Sequence, residues 1–144
     1  MKAYIHQVQY YETDRMGITH HSNYIRWMEE ARVAFLEELG WSYARLEHMG
    51  IFSPVTQVSC EYKKTTTFPD QVAIEVQVQE YRGVRLFLAY RMLDARTGEE
   101  AAVGTSGHCF LNREGRPMSL KKECPAFDAA LRALLTEEKG GEKL

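Results

Sequence analysis

Apolar and polar residues alternate with two different periods along this chain of 144 residues. Between residues 23 and 39, apolar side chains recur every three or four positions, which is the spacing of one face of an α-helix. These side chains are Tyr24, Trp27, Met28, Ala31, Phe35 and Leu39. Ser22 or Asn23 can cap the start and Gly40 can end it, so the pattern predicts one helix of about 16–18 residues.

Much of the remaining chain has the period of two that is typical of β-strands. A first strand is predicted over residues 3–11, ahead of the helix. Beyond the helix, a helical turn or two is expected before residue 50, and four long strands joined by hairpins are then predicted. Turn residues separate those strands at Pro69-Asp70, at Arg82-Gly83 and over Asp94–Gly98.

The order of the predicted elements limits the fold class. Pro125 opens a short C-terminal helix, and residues 139–144 are expected to form a frayed tail. Strands that follow hairpins pair antiparallel, and only one helix is long enough to cover the sheet. We therefore expect a single α+β domain over residues 1–138, with a curved antiparallel sheet wrapped around the central helix. The other face of the sheet would be left for a partner.

Charge and composition exclude several classes of protein. The chain has 18 Lys and Arg against 20 Asp and Glu, a net charge of −2, whereas nucleic-acid binders are strongly basic. No apolar run approaches the ~20 residues of a membrane span. The N-terminal residues lack the apolar core of a signal peptide. The three cysteines are far apart, which is typical of reduced, structural thiols in a cytoplasmic protein.

Candidate chemistry is concentrated where the first strand gives way to the helix. Asp14 is followed by Gly17, which allows a sharp turn, and His21 lies at the helix start. Backbone N–H groups at a helix start have no intrahelical partner and can polarise a carbonyl, while a nearby carboxylate can attack it or activate water. This arrangement suits acyl transfer. An aspartate before a glycine turn can equally be a local cap of the turn.

Other sites are weaker on spacing. His20 and His21 could ligate a metal together with His6, His48 or His108, but no strong zinc spacing is present and we expect neither a metal nor a cofactor. Motifs for a nucleophilic serine, a P-loop, a dinucleotide or a zinc protease are missing from the sequence.

A longer segment runs from Tyr10 through Asp14, Gly17, His21 and Tyr24 and continues into Trp27-Met-Glu-Glu-Ala-Arg32. This segment resembles the signature of the hotdog-fold acyl-CoA thioesterases. The resemblance is to the 4-hydroxybenzoyl-CoA thioesterase type and its Tol–Pal-associated relatives. It implies a hotdog fold and hydrolysis of a short-chain or aromatic acyl-CoA.

The same resemblance implies a role for each residue of the segment. Asp14 would be the catalytic nucleophile or general base, and the backbone N–H of His21 would bind the thioester oxygen. Tyr10 would line the site, with Gly17 and Tyr24 in contact with substrate.

Further expectations concern partners. Coenzyme A carries phosphates, so basic residues are needed at the mouth of the site, and the candidates are Lys63, Lys64, Arg82 and Arg85. The resemblance also implies a homodimer or homotetramer with strands that continue across subunits. Two alternatives stay open, a hydroxyacyl-thioester dehydratase of the same fold and a non-catalytic module that binds acyl thioesters or a protein.

Overall fold

Residues 1–142 are described by a computed structural model, with side chains described through residue 135. In this range the strands are β1 (Tyr4–Gln7), β2 (Val55–Tyr62), β3 (Gln71–Tyr81), β4 (Arg85–Asp94) and β5 (Glu100–Cys109). The helices are α1 (Ser22–Leu39), α2 (Tyr43–His48), α3 (Leu120–Glu123) and α4 (Pro125–Glu142). A 3₁₀ turn, Tyr10–Glu12, follows β1.

The five strands form one antiparallel sheet in the order β1-β3-β4-β5-β2. The α+β class predicted from the order of elements is therefore confirmed. Alternate residues of β3, β4 and β5 are buried on the face that packs against the helices, and among them are Ile74, Leu88 and Met92.

Helix α1 covers the inner face of the sheet with the predicted apolar stripe. Trp27, Met28 and Ala31 are almost completely buried. The sulfur of Met28 approaches β5 so closely that a Cβ added at Gly104 would lie 2.9 Å from it and 2.7 Å from the carbonyl of Ser59. Glycine at position 104 therefore lets the helix rest directly on the sheet.

Three details of the sequence prediction differ from the structure. The first strand ends at Gln7, because the side chain of Glu12 accepts the backbone N–H of Gln9 and draws the next residues into the 3₁₀ turn. Helix α4 is longer than the short helix predicted. The tail expected over residues 139–144 overlaps the end of α4 and otherwise lies outside the described residues.

The third difference is the partner of β2. This strand pairs with β5 at one side of the sheet and not with β3, so the connection over residues 63–70 is a crossing rather than a hairpin. The crossing is held against the loop before α1, because Thr19 N–H donates to the carbonyl of Thr66 at 2.8 Å and Thr67 Oγ1 donates to the carbonyl of Gly17 at 2.6 Å. A period of two shows which face of a strand is buried but not which strand lies beside it.

No helix within the described part of the chain is both long and apolar enough to cross a membrane.

A chain of hydrogen bonds runs through the core from α1 to β5. Arg32 Nη1 donates to Tyr90 Oη, Tyr90 Oη lies 2.6 Å from Ser106 Oγ, and Ser106 Oγ lies 2.7 Å from His108 Nε2. His108 is 1% exposed, and its Nδ1 has no partner among the described residues. Burial, assisted by the positive charge of Arg32, lowers the pKa of His108 to about 4.

The depressed pKa of His108 predicts a loss of stability in weak acid. The folded protein keeps this imidazole neutral, whereas the unfolded chain takes up a proton below about pH 6.5. The contribution of His108 to the free energy of unfolding should be fully present above that pH and should be lost between about pH 6.5 and pH 4. From pH 7 to pH 5 the free energy of unfolding should fall by about 2 kcal/mol.

Urea unfolding of the wild type and of His108→Gln, at equal protein concentration, measures this contribution. The variant should lose about 2 kcal/mol less than the wild type between pH 7 and pH 5. Equal losses in both proteins would show that His108 is already protonated in the fold or titrates normally.

Candidate active site

The loop of residues 13–21, called here the site loop, is closed by its own backbone. Asp14 N–H donates to the carbonyl of Ile18 at 2.8 Å, and Gly17 N–H donates back to the carbonyl of Asp14 at 2.9 Å. Gly17 has φ +80°, a conformation that side chains other than glycine rarely adopt. Thr13 and Thr19 form a β-bridge at the base of the loop. The glycine turn expected from sequence is therefore present.

The carboxylate of Asp14 has two different oxygens in this loop. Oδ1 accepts the backbone N–H of Met16 at 2.8 Å, so the aspartate does act as a local cap of the turn. Among the described residues, no hydrogen-bond donor is found on Oδ2. The cap orients the side chain and leaves one oxygen available for another partner.

His21 ends the site loop and is the N-cap of α1. Its carbonyl accepts Tyr24 N–H at 3.3 Å and Tyr62 Oη at 3.2 Å. Its own backbone N–H meets no acceptor in the described part of the chain. The imidazole is exposed and stacks on that of His20 with 4.3 Å between ring centroids. What His21 offers to a ligand from the helix start is thus a free backbone donor.

Asp14 and His21 both line one cleft of about 420 Å³. Tyr24, Lys63 and Lys64 line the same cleft, so five of the residues expected from sequence come together there. Gly17 shapes the turn that carries Asp14. Such a cleft can bind a carbonyl compound. The N–H can donate to the carbonyl oxygen, the carboxylate can lie beside the carbonyl carbon, and the apolar lining can contact the rest of the compound.

Tyr62 is a cleft residue that sequence analysis missed. It is the last residue of β2, and its ring meets that of Tyr24 edge-on at 5.1 Å. Tyr24 Oη lies 2.9 Å from Thr66 Oγ1, which lies 2.7 Å from Thr19 Oγ1. Burial raises the pKa of Tyr24, which stays a neutral hydroxyl. The alternation of β2 places Tyr62 on the helix side of the strand, a signal that could have identified it.

The two lysines of the cleft already have carboxylate partners. Lys63 Nζ lies 2.7 Å from Glu100 Oε1, and Lys64 Nζ lies 3.1 Å from Glu99 Oε2. The hydrogen bond to Glu100 raises the pKa of Lys63, which is therefore a cation at neutral pH. Because these pairs are exposed, an anionic ligand could exchange with the carboxylates at small cost.

Three of the expected residues are not brought to the cleft of a single chain. Tyr10 is 77% exposed and its ring packs edge-on against Phe68. Arg82 and Arg85 lie in and beside the β3–β4 hairpin, where Arg82 pairs with Glu80. Arg85 is paired with Cys109 and Tyr62 with Ala102.

Cys109 and Ala102 are seven positions apart along β5, so the hairpin is about 23 Å from the cleft at the rise of a strand. Both basic clusters lie near a turn in the sequence, and strand register places only Lys63 and Lys64 at the cleft.

No three side chains of His, Cys, Asp or Glu are close enough to share a metal ion within the described residues. His6, a possible ligand with His20 and His21 by residue type, instead bonds two carboxylates, those of Glu12 and Glu30.

Residues 8–135 match the thioesterase-like superfamily. YneP of Bacillus subtilis (strain 168), which has the provisional name of acyl-CoA thioesterase, is 32% identical over 125 residues, covering 86% of this chain and 90% of YneP.

Two solved structures are also similar. A DHNA-CoA thioesterase from Staphylococcus aureus superposes with a TM-score of 0.91 at 30% identity, covering 97% of this chain and 94% of that chain. BH1999 gentisyl-coenzyme A thioesterase superposes with a TM-score of 0.77 at 26% identity, covering 87% of this chain and all of that one (100%). The residues that match the superfamily, 8–135, include the site loop and the start of α1.

Proposed function

The chain belongs to the thioesterase-like superfamily, and on that basis we propose that it is an acyl-CoA thioesterase whose reaction takes place in the cleft between the site loop and the start of α1. Its relatives are named as acyl-CoA thioesterases, which supports its assignment as a thioester hydrolase. The observation that carries the assignment of residues is the position of Asp14 and His21 on one cleft.

In this proposal the free N–H of His21 receives the carbonyl oxygen of the thioester. As the carbonyl carbon becomes tetrahedral, its oxygen gains negative charge and the hydrogen bond strengthens. The positive end of the α1 dipole acts in the same direction. One well-placed donor of this kind contributes roughly 3–4 kcal/mol to the transition state.

Asp14 supplies the second half of the reaction, by one of two routes. As a general base it takes a proton from water while the water oxygen bonds to the carbonyl carbon. The tetrahedral intermediate then breaks its C–S bond, and the coenzyme A thiolate leaves and is protonated. As a nucleophile, Asp14 bonds to the carbon itself and expels the thiolate, and water hydrolyses the resulting anhydride. Both routes consume one water and yield an acid and a free thiol.

We favour an aromatic acyl group over a short aliphatic one. Tyr24 and Tyr62 present two rings to the cleft, and Met16 and Ile18 add apolar surface. Such surfaces stabilise a flat ring by edge-to-face contact. Two relatives at 30% and 26% identity are named for aromatic thioesters, DHNA-CoA and gentisyl-coenzyme A.

Lys63 and Lys64 are the proposed contacts for the phosphates of coenzyme A. Both lie at the start of the crossing that follows β2, at the cleft. Phosphate oxygens would replace Glu100 and Glu99 as partners of the two ammonium groups. Arg82 and Arg85 are too far along the strands to serve the same cleft within one chain.

A second copy of the chain is the proposed partner of β2. This strand pairs only with β5 among the described strands, and most of its residues are exposed on both faces. Its exposed apolar residues include Val55 and Val58. An edge strand of this length is a template for pairing with another strand. Tyr62 lies on the same edge, so the pairing would border the cleft.

We therefore expect a homodimer or homotetramer. Sedimentation and light scattering at micromolar concentration should give two or four times the chain mass of 16.6 kDa. A stable monomer with full hydrolytic activity would contradict this prediction, since the exposed edge would then have no need of a partner.

Activity should depend on Asp14. Free thiol released from a panel that runs from acetyl-CoA to benzoyl-CoA should appear fastest with the aromatic thioesters. On the best substrate, Asp14→Ala should lower kcat/KM by at least about 100-fold, because it removes the base or nucleophile. Asp14→Asn should be nearly as damaging, since it keeps the shape and loses the charge. Wild-type turnover by either folded variant would show that the carboxylate is not catalytic.

The contribution of His21 can be divided between its backbone and its side chain. His21→Ala keeps the N–H and should lose far less activity than Asp14→Ala. His21→Pro removes the N–H, and the native φ of −57° is close to that of proline, so the fold should tolerate it. We expect a steep fall in kcat for the proline variant with an unchanged circular dichroism spectrum. If both variants are equally inactive, the imidazole of His21 is the catalytic group and not its N–H. If both are fully active, the oxyanion is bound by groups other than those of His21.

A further inference from the structure

Glu12 is a buried carboxylate two residues before Asp14, and it does not line the cleft. It is 5% exposed, and its two oxygens accept three hydrogen bonds. Oε1 accepts from His6 Nε2 and from the backbone N–H of Gln9, each at 2.8 Å, and Oε2 accepts from Trp27 Nε1 at 2.8 Å. The donors come from β1, from the residue that precedes the 3₁₀ turn, and from α1.

The backbone carbonyl of Glu12 makes a second set of contacts. It accepts His20 N–H at 2.8 Å and Asn23 Nδ2 at 2.9 Å. The first of these bonds closes the site loop immediately before His21, and the second joins the loop to the first turn of α1. Glu12 directly precedes the site loop: its side chain bonds to β1 and α1, and its carbonyl bonds to the end of the loop at His20.

His6 bridges the carboxylates of Glu12 and Glu30. The other ring nitrogen of His6, Nδ1, lies 2.8 Å from Glu30 Oε2 on α1, and the ring packs on Trp27 with 4.7 Å between centroids. Each ring nitrogen of His6 therefore faces one carboxylate oxygen. Burial alone would raise the pKa of Glu12, but the hydrogen bonds from Gln9, His6 and Trp27 outweigh it and lower the pKa. The carboxylate is therefore ionised, and each of its oxygens accepts at least one hydrogen bond.

We infer that Glu12 is a positioning residue, which sets the separation and direction of the Asp14 carboxylate and the His21 N–H without touching the substrate. This inference rests on the proposed function. Asp14 lies two residues after Glu12, whose side chain is bonded to Trp27 of α1, and His21 follows His20, whose N–H is bonded to the carbonyl of Glu12. The hydrogen bonds of Glu12 therefore restrain both ends of the site loop. An error of about 1 Å in such a geometry can cost about 100-fold in rate.

Glu12→Gln tests the inference with an isosteric change. An amide has one oxygen and two N–H donors, so it must turn a donor toward either Trp27 or the pair His6 and Gln9, and at least one bond is lost. We expect kcat to fall about 10-fold or more, with KM within about threefold of the wild type because Lys63 and Lys64 are unaltered. Asn23→Ala, which removes the second link to the carbonyl of Glu12, should lower kcat in the same way by a smaller factor.

Asp128→Asn is the matched control. Asp128 is also a buried carboxylate, and it accepts hydrogen bonds from Tyr81 Oη and Arg132 Nε where α4 meets β3, away from the cleft. This variant should lose stability as Glu12→Gln does, yet keep kcat within about twofold, the scatter expected away from a catalytic geometry. The comparison separates a loss of position from a general loss of stability.

Nuclear magnetic resonance gives a readout that does not need turnover. With ¹⁵N-labelled histidine and tryptophan, the backbone amide of His21 and the indole of Trp27 should shift in Glu12→Gln and stay in place in Asp128→Asn. Unchanged resonances together with wild-type kcat in Glu12→Gln would overturn the inference. If Glu12→Gln does not fold, wild-type kcat and an unmoved His21 amide in Asn23→Ala would overturn it. A wild type that hydrolyses no acyl-CoA would instead overturn the proposed function, and the resonances would still decide the role of Glu12.

Discussion

The packing of α1 onto the inner face of the sheet is the constraint on which the rest of this structure depends. Trp27 and Met28 are removed from water by it, and each such side chain contributes roughly 1.5–3 kcal/mol when buried. The close contact of Met28 with Gly104 fixes the height of the helix above β5. Because the helix is fixed along its length, its first turn is fixed as well. The candidate site is built on that first turn.

The polar groups around Glu12 in the interior are paired with one another, whereas two polar groups at the cleft have no partner among the described residues. In the interior, Glu12 and Trp27 meet partners of good geometry, since an unpaired buried polar group costs about 1–3 kcal/mol. At the cleft, the N–H of His21 and one oxygen of Asp14 are left without a partner among the described residues. Water can solvate groups at an open cleft, so leaving them free costs little in the resting protein. The same groups are then available to a thioester without breaking any bond of the fold.

The crossing between β2 and β3 connects the sheet to the site. It leaves β2 at Tyr62, passes Lys63 and Lys64, and bonds to the site loop through Thr66. A hairpin at this point would have placed β2 beside β3 and removed one wall of the cleft. The cost of the crossing is a long strand with an open edge, which a soluble protein generally has to protect. The wall of the cleft and the open edge of β2 thus have a common origin in the crossing.

Sequence alone determined the features that depend on near neighbours in the chain. The period of the apolar residues located α1 and its buried face, Gly17 marked the turn, and the spacing of Asp14 and His21 indicated a carboxylate beside a helix start. Tertiary structure decided what depends on residues distant in the chain. Strand register put Lys63 at the cleft and Arg82 at the other end of the sheet, although both are basic residues near a turn. Side-chain hydrogen bonds made Glu12 a buried anchor, a role that no local pattern in the sequence indicated. Local periodicity records which way a side chain faces, and only the packed fold determines which group it meets.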